Sequence, residues 1–243
     1  MMIKSLHKGL RILCYLSTKS EAGPSEISRD LQYGKSTVIR LLQTMRALGF
    51  VKQGDDTGCY EMGPRVLELA HCYLGQQDGI VSLAIDEIRA LWSQFSETVS
   101  LYVREGDVRV CVYRLESPSP LRHSISVGEV SPLHSGSPGK TFLAHMRPDE
   151  VEAYLIRENV DPDRVSRLRH DIPEIRQKGV AYSFGERGSG RTSVAAPIMN
   201  GRKEPIAVLS ISGPLQRLPL GRLQEIIEPL SIAARTISSR VVG

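Results

Sequence analysis

Several features that define other classes of protein are scarce in this chain. Its four cysteines, Cys14, Cys59, Cys72 and Cys111, lie far apart and lack the C-x-x-C or Cys/His spacing of a metal site or a disulfide framework. No apolar run approaches the roughly 18 residues that a membrane span needs, and the N-terminal segment has no small-residue cleavage site. The sequence therefore predicts a cytoplasmic protein with reduced thiols, no metal, no cofactor and no membrane partner.

A large excess of charge is also missing. The net charge of the 243 residues is only +4, which is too small to indicate nucleic-acid binding, so the distribution of charge has to decide. Between Arg29 and Lys52 there are five basic residues and a single acid, Asp30. At about 100 to 200 residues per domain, the chain has room for two domains, and its basic segment lies in the first.

The chain opens with a helical pattern. Leu6, Leu10, Leu13 and Leu16 recur at helical spacing and predict one apolar stripe. A second, short helix is predicted in "GPSEISRDL", where proline stands at a first-turn position and apolar residues recur four apart. Two amphipathic helices therefore precede the basic segment.

A third helix is predicted after Gly34, where glycine can adopt a left-handed conformation and bend the chain sharply. The pattern "KSTVIRLLQTMRALG" places apolar residues from Val38 to Leu48 on one face. Two short strands, Phe50 to Gln53 and Cys59 to Met62, then surround the turn "GDDTG". Three helices followed by a hairpin predict a winged helix-turn-helix over residues 1–63.

The opposite face of the third helix is polar and basic. Hydroxyls, backbone N–H groups and lysine suit phosphates, whereas arginine favours guanine and glutamine favours adenine. A solvated polar face on a plain helical scaffold is the alternative. The predicted DNA-binding residues are Lys35, Ser36, Thr37, Arg40, Gln43 and Thr44.

The remaining residues predict a linker helix over 64–79 and a second domain over 80–243. Alternating patterns in "TVSLYVREGDVRVCVYRLES" and "RTSVAAPIMNGRKEPIAVLSISGP" each predict two strands around a turn. Helical patterns precede and follow these strands, and Pro229 is expected to interrupt the last helix. The expected fold class is α+β with a mostly antiparallel sheet.

The stretch "HSGSPGKT", residues 134–141, is similar to the end of a phosphate-binding loop. Such a loop needs a glycine five residues before Gly139, and that position holds His134. The nearest glycine, Gly136, leaves the loop too short to surround a phosphate chain. Nucleotide hydrolysis is therefore not expected, and the segment needs another explanation.

The chain resembles the IclR-type bacterial transcriptional regulators along essentially its whole length. The resemblance is carried by "KSTVIRLLQTMRALGFV" in the first domain and by "HSGSPGKTFLAHM", "KGVAYSFGERGSGRTSVAAPI" and "AVLSISGP" in the second. It implies that the third helix enters the major groove and that the linker helix helps to pair two DNA-binding domains. It also implies a GAF-like effector-binding domain, which would sense a small organic acid, and assembly into dimers or tetramers.

The resemblance also implies a pocket at the start of the helix that follows "HSGS". A helix N-terminus presents unpaired N–H donors and a partial positive charge, which suits a carboxylate. Pro138 departs from this pattern because proline has no N–H. Glu186 is either a hydrogen-bond acceptor in the pocket or a loop charge. The implied effector-binding residues are Ser137, Pro138, Gly139, Glu186, Ser193, Ser210 and Ser212.

Two other classes of function are weaker alternatives. A Ser-His pair could in principle form an enzyme site, but "SISGP" has Ile211 where a nucleophile elbow needs glycine. A purely architectural DNA-binding protein would be more basic and would not need the second domain. The expected function is a ligand-responsive regulator, a repressor or an activator, that binds a double-stranded DNA operator.

Overall fold

A computed structural model describes residues 2–55, 57–120, 125–185 and 190–241. The chain divides into two compact units, Met1–Gln76 and Gln77–Gly243. Among the helices in these ranges, none combines the length and the apolar character that a membrane span requires. The four cysteines are free thiols.

The first unit contains three helices, a two-stranded sheet and a fourth helix. Buried residues of the three helices and of the sheet form its core, including Ile12, Ile27, Val38, Leu42 and Tyr60. The elements are α1 (Lys4–Leu16), α2 (Pro24–Leu31), α3 (Lys35–Ala47), β1 (Val51–Gln53), β2 (Tyr60–Met62) and α4 (Arg65–Gly75). Strands β1 and β2 pair antiparallel, so the predicted winged helix-turn-helix fold is confirmed.

Helix α1 buries only part of the face that was predicted. Gly9, Ile12 and Leu16 are its buried residues, whereas Leu6 and Leu10 are 59% and 53% exposed. The predicted stripe is therefore confirmed at Leu16, which is buried, and at Leu13, which packs against the core. At Leu6 and Leu10 it is wrong, because the buried face continues through Gly9 and Ile12 instead. Of the apolar face predicted for α3, Val38, Leu42 and Met45 are buried, but Leu48 is exposed.

The turn between α2 and α3 also differs from the prediction. Gln32, not Gly34, takes the left-handed conformation, with φ 55° and ψ 42°. Gly34 has φ −58° and is the N-cap residue of α3. The bend therefore does not depend on the conformational freedom of glycine.

The second unit is a six-stranded antiparallel sheet with helices on both faces. The strand order is β5-β4-β3-β8-β7-β6. In chain order the elements are α5 (Asp78–Phe95), β3 (Thr98–Glu105), β4 (Val108–Leu115), β5 (Val130–Pro132), α6 (Gly136–His145), α7 (Pro148–Arg157), α8 (Pro162–Lys178), β6 (Ala181–Phe184), β7 (Arg191–Met199), β8 (Pro205–Pro214) and α9 (Leu220–Arg240). The α+β class and both predicted hairpins are confirmed, although the sequence patterns predict none of β5, β6, α7 and α8.

Because side chains alternate along each strand, the two faces of the sheet pack against different helices. Tyr102, Ala195 and Val208 contribute to one core cluster with Phe142 of α6 and Leu168 of α8. Helices α5 and α9 pack against the sheet as well. Contrary to the prediction, α9 continues through Pro229. A proline removes one intrahelical hydrogen bond, and packing of the buried residues on either side compensates.

Candidate functional site

The candidate DNA-binding surface is the exposed face of α3. Lys35, Ser36, Arg40, Gln43 and Thr44 are exposed and Thr37 is half-buried. No side chain caps the N-terminus of α3, and its first turn contains no acid. An uncapped, exposed helix N-terminus beside a lysine favours an anion such as a DNA phosphate.

The five basic residues of the segment differ in their partners. Arg29 pairs with Asp30, and Lys52 pairs with Glu61 across the hairpin. Arg46 donates a 2.9 Å hydrogen bond to the side chain of Gln53, which connects α3 to β1.

Lys35 and Arg40, both on α3, differ from these three. Within the part of the chain that the structure describes, neither side chain forms an ion pair or a hydrogen bond. The local positive charge is therefore concentrated on the exposed face of α3.

A second candidate site lies between the start of α6 and the sheet. It is a small cavity of about 10 Å³, which is room for roughly one water molecule. Its walls come from five adjacent strands, β4, β3, β8, β7 and β6, and from the first turn of α6. The lining residues are Tyr102, Arg109, Gly136, Pro138, Ser183, Arg191, Ser193, Ser210 and Ser212. We call this cavity the strand pocket.

Strand pairing brings the serines of the strand pocket together. Ser183 lies opposite Ser193, and Ser193 lies opposite Ser212. The hydroxyl of Ser137 donates a 2.7 Å hydrogen bond to the hydroxyl of Ser193. Ser210 instead donates to the carbonyl oxygen of Val194. The pocket therefore has a wall of hydroxyl groups from neighbouring strands.

The positive charge of the strand pocket comes from arginine. Arg109 is only 1% exposed. Its guanidinium lies 5.6 Å from the centre of the Tyr102 ring and donates a hydrogen bond to the carbonyl oxygen of Pro132. Burial raises the pKa of Tyr102 to about 12, so its hydroxyl stays neutral at physiological pH. A buried cation beside hydroxyl groups can bind a small anion.

The start of α6 explains the glycines in "HSGSPGKT". Gly136 has φ 72°, in the left-handed region that favours glycine. A Cβ atom at Gly139 would lie 2.2 Å from the carbonyl oxygen of Leu133. Lys140 is buried and its amino group lies 2.9 Å from a carboxylate oxygen of Asp171. These residues fit close packing of α6 rather than a phosphate-binding loop.

Four of the predicted effector-binding residues line one cavity, namely Pro138, Ser193, Ser210 and Ser212. Ser137 contacts that cavity through Ser193. Gly139 packs against Leu133 and Arg109. Glu186 lies outside the described residues. The assignment of these residues to an effector stays a prediction.

Sequence reasoning did not select Tyr102, Arg109, Gly136, Ser183 and Arg191. An arginine within the apolar alternation of "VRVCVYRL" was the only available signal for Arg109, and an outward-facing arginine in a half-exposed strand has the same pattern. Which face of the sheet is covered, and by which helix, is decided by tertiary packing.

Together, the helix-turn-helix with its exposed basic helix and the separate α+β unit define a two-domain DNA-binding transcriptional regulator. The profile of the IclR helix-turn-helix domain matches residues 5–55. The profile described as bacterial transcriptional regulator IclR C-terminal matches residues 72–239. The chain therefore belongs to the IclR family, whose members are transcriptional regulators and not enzymes.

Individual relatives match along nearly the whole chain. The HTH-type transcriptional regulator KdgR of Escherichia coli is 32% identical over 247 residues, which cover 98% of this chain and 93% of the relative. The regulator BhcR of Paracoccus denitrificans is 29% identical, with coverage of 97% and 86%. The crystal structure of an IclR family transcriptional regulator from Brucella abortus is 26% identical, covers 99% of this chain and 93% of its own, and has a TM-score of 0.78.

Proposed function

We propose that this regulator senses a small organic acid in the strand pocket and that the acid changes its affinity for a DNA operator. The observation that carries the proposal is that the buried Arg109 lines the same cavity as Ser193 and Ser212. A charge in a site of low dielectric binds an opposite charge more strongly than it would in water. A carboxylate is a metabolite group that guanidinium and hydroxyl donors can bind.

The strand pocket as described has room for about one water molecule, so a larger acid requires α6 and the sheet to separate. Pro138 and Gly136 belong to the first turn of α6 and line the pocket. Binding therefore acts directly on α6. An effector that prefers one arrangement of this helix shifts the population of conformations by its difference in affinity, which is typically about 1 to 3 kcal/mol.

In the DNA-binding unit, we propose that α3 enters the major groove. Arg40 and Gln43 would contact base edges, while Lys35, Ser36, Thr37 and Thr44 would contact phosphates and position the helix. The family membership and the exposed, unpaired cations of α3 support this assignment. A regulator that acts on chromosomal DNA in a bacterium works in the cytoplasm.

Pairing of two chains, as a dimer or a tetramer, is also proposed. Helix α4 has no buried residue within its own chain, and Leu67 and Leu69 on it are 73% and 53% exposed. Exposed leucines on one helix favour a contact with a second copy, and a symmetric pair would place two α3 helices about one turn of DNA apart. Sedimentation analysis tests this directly, since a mass of 26.9 kDa at micromolar concentration would refute it.

Thermal unfolding with a panel of small acids tests the effector. The panel contains 2-oxo acids, hydroxybenzoates, phenylacetates and sugar acids, each beside its neutral amide. An acid at 100 times its Kd stabilises the folded protein by about 2.7 kcal/mol. We expect at least one acid to raise the melting temperature, its amide to have no effect, and the effect to be lost in Ser212→Val, which removes a pocket hydroxyl.

The matched control is Ser239→Ala, because Ser239 is exposed on α9 and is not a lining residue of the strand pocket. It should respond to the acid as the wild type does. If no acid raises the melting temperature, or if the response is the same in Ser212→Val, the strand pocket is not the effector site. DNA binding by α3 would stand in either case.

A further inference from the structure

The second unit contains a much larger cavity than the strand pocket. This cavity, of about 350 Å³, lies between α8, β6 and the middle of α6. We call it the edge cavity, because β6 is the terminal strand of the sheet. Its volume is at the lower end of the roughly 300 to 1,000 Å³ that ligand sites occupy.

The edge cavity is separate from the strand pocket. Tyr182 and Phe184 line the edge cavity, whereas Ser183, between them on β6, lines the strand pocket. Successive side chains of a strand point to opposite faces, so β6 forms part of the wall of both. On α6 the division is similar, since Lys140 contributes to the edge cavity and Pro138 to the strand pocket.

The interior of the edge cavity is apolar and aromatic. Leu168, Ile175 and Val180 are buried beneath it. The ring of Tyr182 is half-buried, and burial raises the pKa of its hydroxyl. Phe184 is 44% exposed, which is an unusual position for a phenylalanine in an edge strand. Such a surface favours the apolar or aromatic body of a ligand.

The rim of the edge cavity is positively charged. Four basic and two acidic side chains line it, so positive charges outnumber negative ones by two. Both acids have a partner within the cavity, since Asp171 pairs with Lys140 and Glu174 pairs with Lys178. Arg164 and Arg167 supply the excess. Arg167 is exposed and, among the described residues, forms no ion pair.

We propose that the edge cavity is a second small-molecule site, for a ligand with an apolar or aromatic body and a single carboxylate. The body packs on Phe184, Tyr182 and the buried floor, and the carboxylate accepts hydrogen bonds from Arg167. The site does not depend on the proposed effector of the strand pocket. A ligand bound in the edge cavity would contact α6 on the side away from the strand pocket, through the Lys140–Asp171 pair.

Phenylacetate is the probe, because it has an aromatic ring and one carboxylate, and phenylacetamide is its neutral counterpart. Binding to the full chain is measured by saturation-transfer NMR and by titration. Arg167→Gln removes the charge, and Arg169→Gln is the matched control on the same helix, since Arg169 is exposed and does not line the cavity. Phe184→Ala removes the exposed ring. Both cavity residues are exposed, so neither change removes core packing.

We expect phenylacetate to bind the wild type and Arg169→Gln equally, and to bind Arg167→Gln about tenfold more weakly. Phe184→Ala should weaken the binding of both the acid and the amide, because the ring contact is shared. Ser212→Val should leave this binding unchanged. The proposal is overturned if phenylacetate does not bind. It is also overturned if Arg167→Gln and Phe184→Ala each bind phenylacetate with the affinity of the wild type. Loss in Ser212→Val alone would assign the probe to the strand pocket and equally overturn it.

Discussion

Replacing Gly139 by alanine tests the packing that holds α6 beside the strand pocket. In a helix interior, glycine to alanine ordinarily stabilises by about 1 kcal/mol. Here the added Cβ atom would lie 2.2 Å from the carbonyl oxygen of Leu133 and 2.6 Å from a guanidinium nitrogen of Arg109, well inside the 3.4 Å at which ordinary contact begins. A backbone carbonyl cannot turn away as the end of a flexible side chain can.

The magnitude follows from two opposing contributions. Overpacking of a dense site typically costs about 1 to 3 kcal/mol, and a contact this short with backbone belongs at the upper end of that range. After subtraction of the gain in helix propensity, we expect Gly139→Ala to destabilise the second unit by about 1 to 2 kcal/mol. The sign is opposite to that given by helix propensity alone.

Urea unfolding monitored by tryptophan fluorescence isolates this effect. Trp92 is the only tryptophan and lies in α5 of the second unit, so its emission reports on that unit. The control is Gly221→Ala in the first turn of α9, where an added Cβ would contact nothing within 4 Å. Gly221→Ala should be neutral or stabilising. A Gly139→Ala protein as stable as the wild type would refute the reasoning about the close approach of α6.

Two further predictions concern DNA binding and pH. Arg40→Ala should weaken binding to operator fragments, selected from a random DNA pool and measured by fluorescence anisotropy, by about tenfold or more, since a bidentate base contact is worth about 1 to 3 kcal/mol. Arg29→Ala, which removes the same charge from α2, should have a smaller effect, and equal losses would place the base contact elsewhere. Burial lowers the pKa of His145, whose ring nitrogen lies 2.9 Å from the carbonyl oxygen of Thr141. The unfolded chain then binds more protons, so stability should fall as the pH decreases through about 6.5, less steeply in His145→Gln, and an identical slope in that variant would contradict the assignment.

The DNA-binding half was largely predictable because its signals are local. Helical spacing, a proline at a first-turn position and strand alternation all act within a few residues, so the order of three helices and a hairpin follows from the sequence. Where two apolar stripes overlapped on α1, local pattern could not choose between Leu6 and Ile12. That choice depends on which face α2 and α3 cover.

In the second unit, local sequence patterns predict less of the structure and contacts between distant segments decide more of it. Alternation in the sequence determined the two long hairpins, and the resemblance to the family indicated the serines of β7 and β8. It could not place Arg109 and Ser212 on the same cavity, because residues about 100 positions apart are brought to one site only through the pairing of β4, β3 and β8. The sequence by itself determined the local elements and the class of regulator. Tertiary structure alone decided which charges are buried, which side of β6 faces each cavity, and why Gly139 must lack a side chain, since each depends on contacts between distant segments.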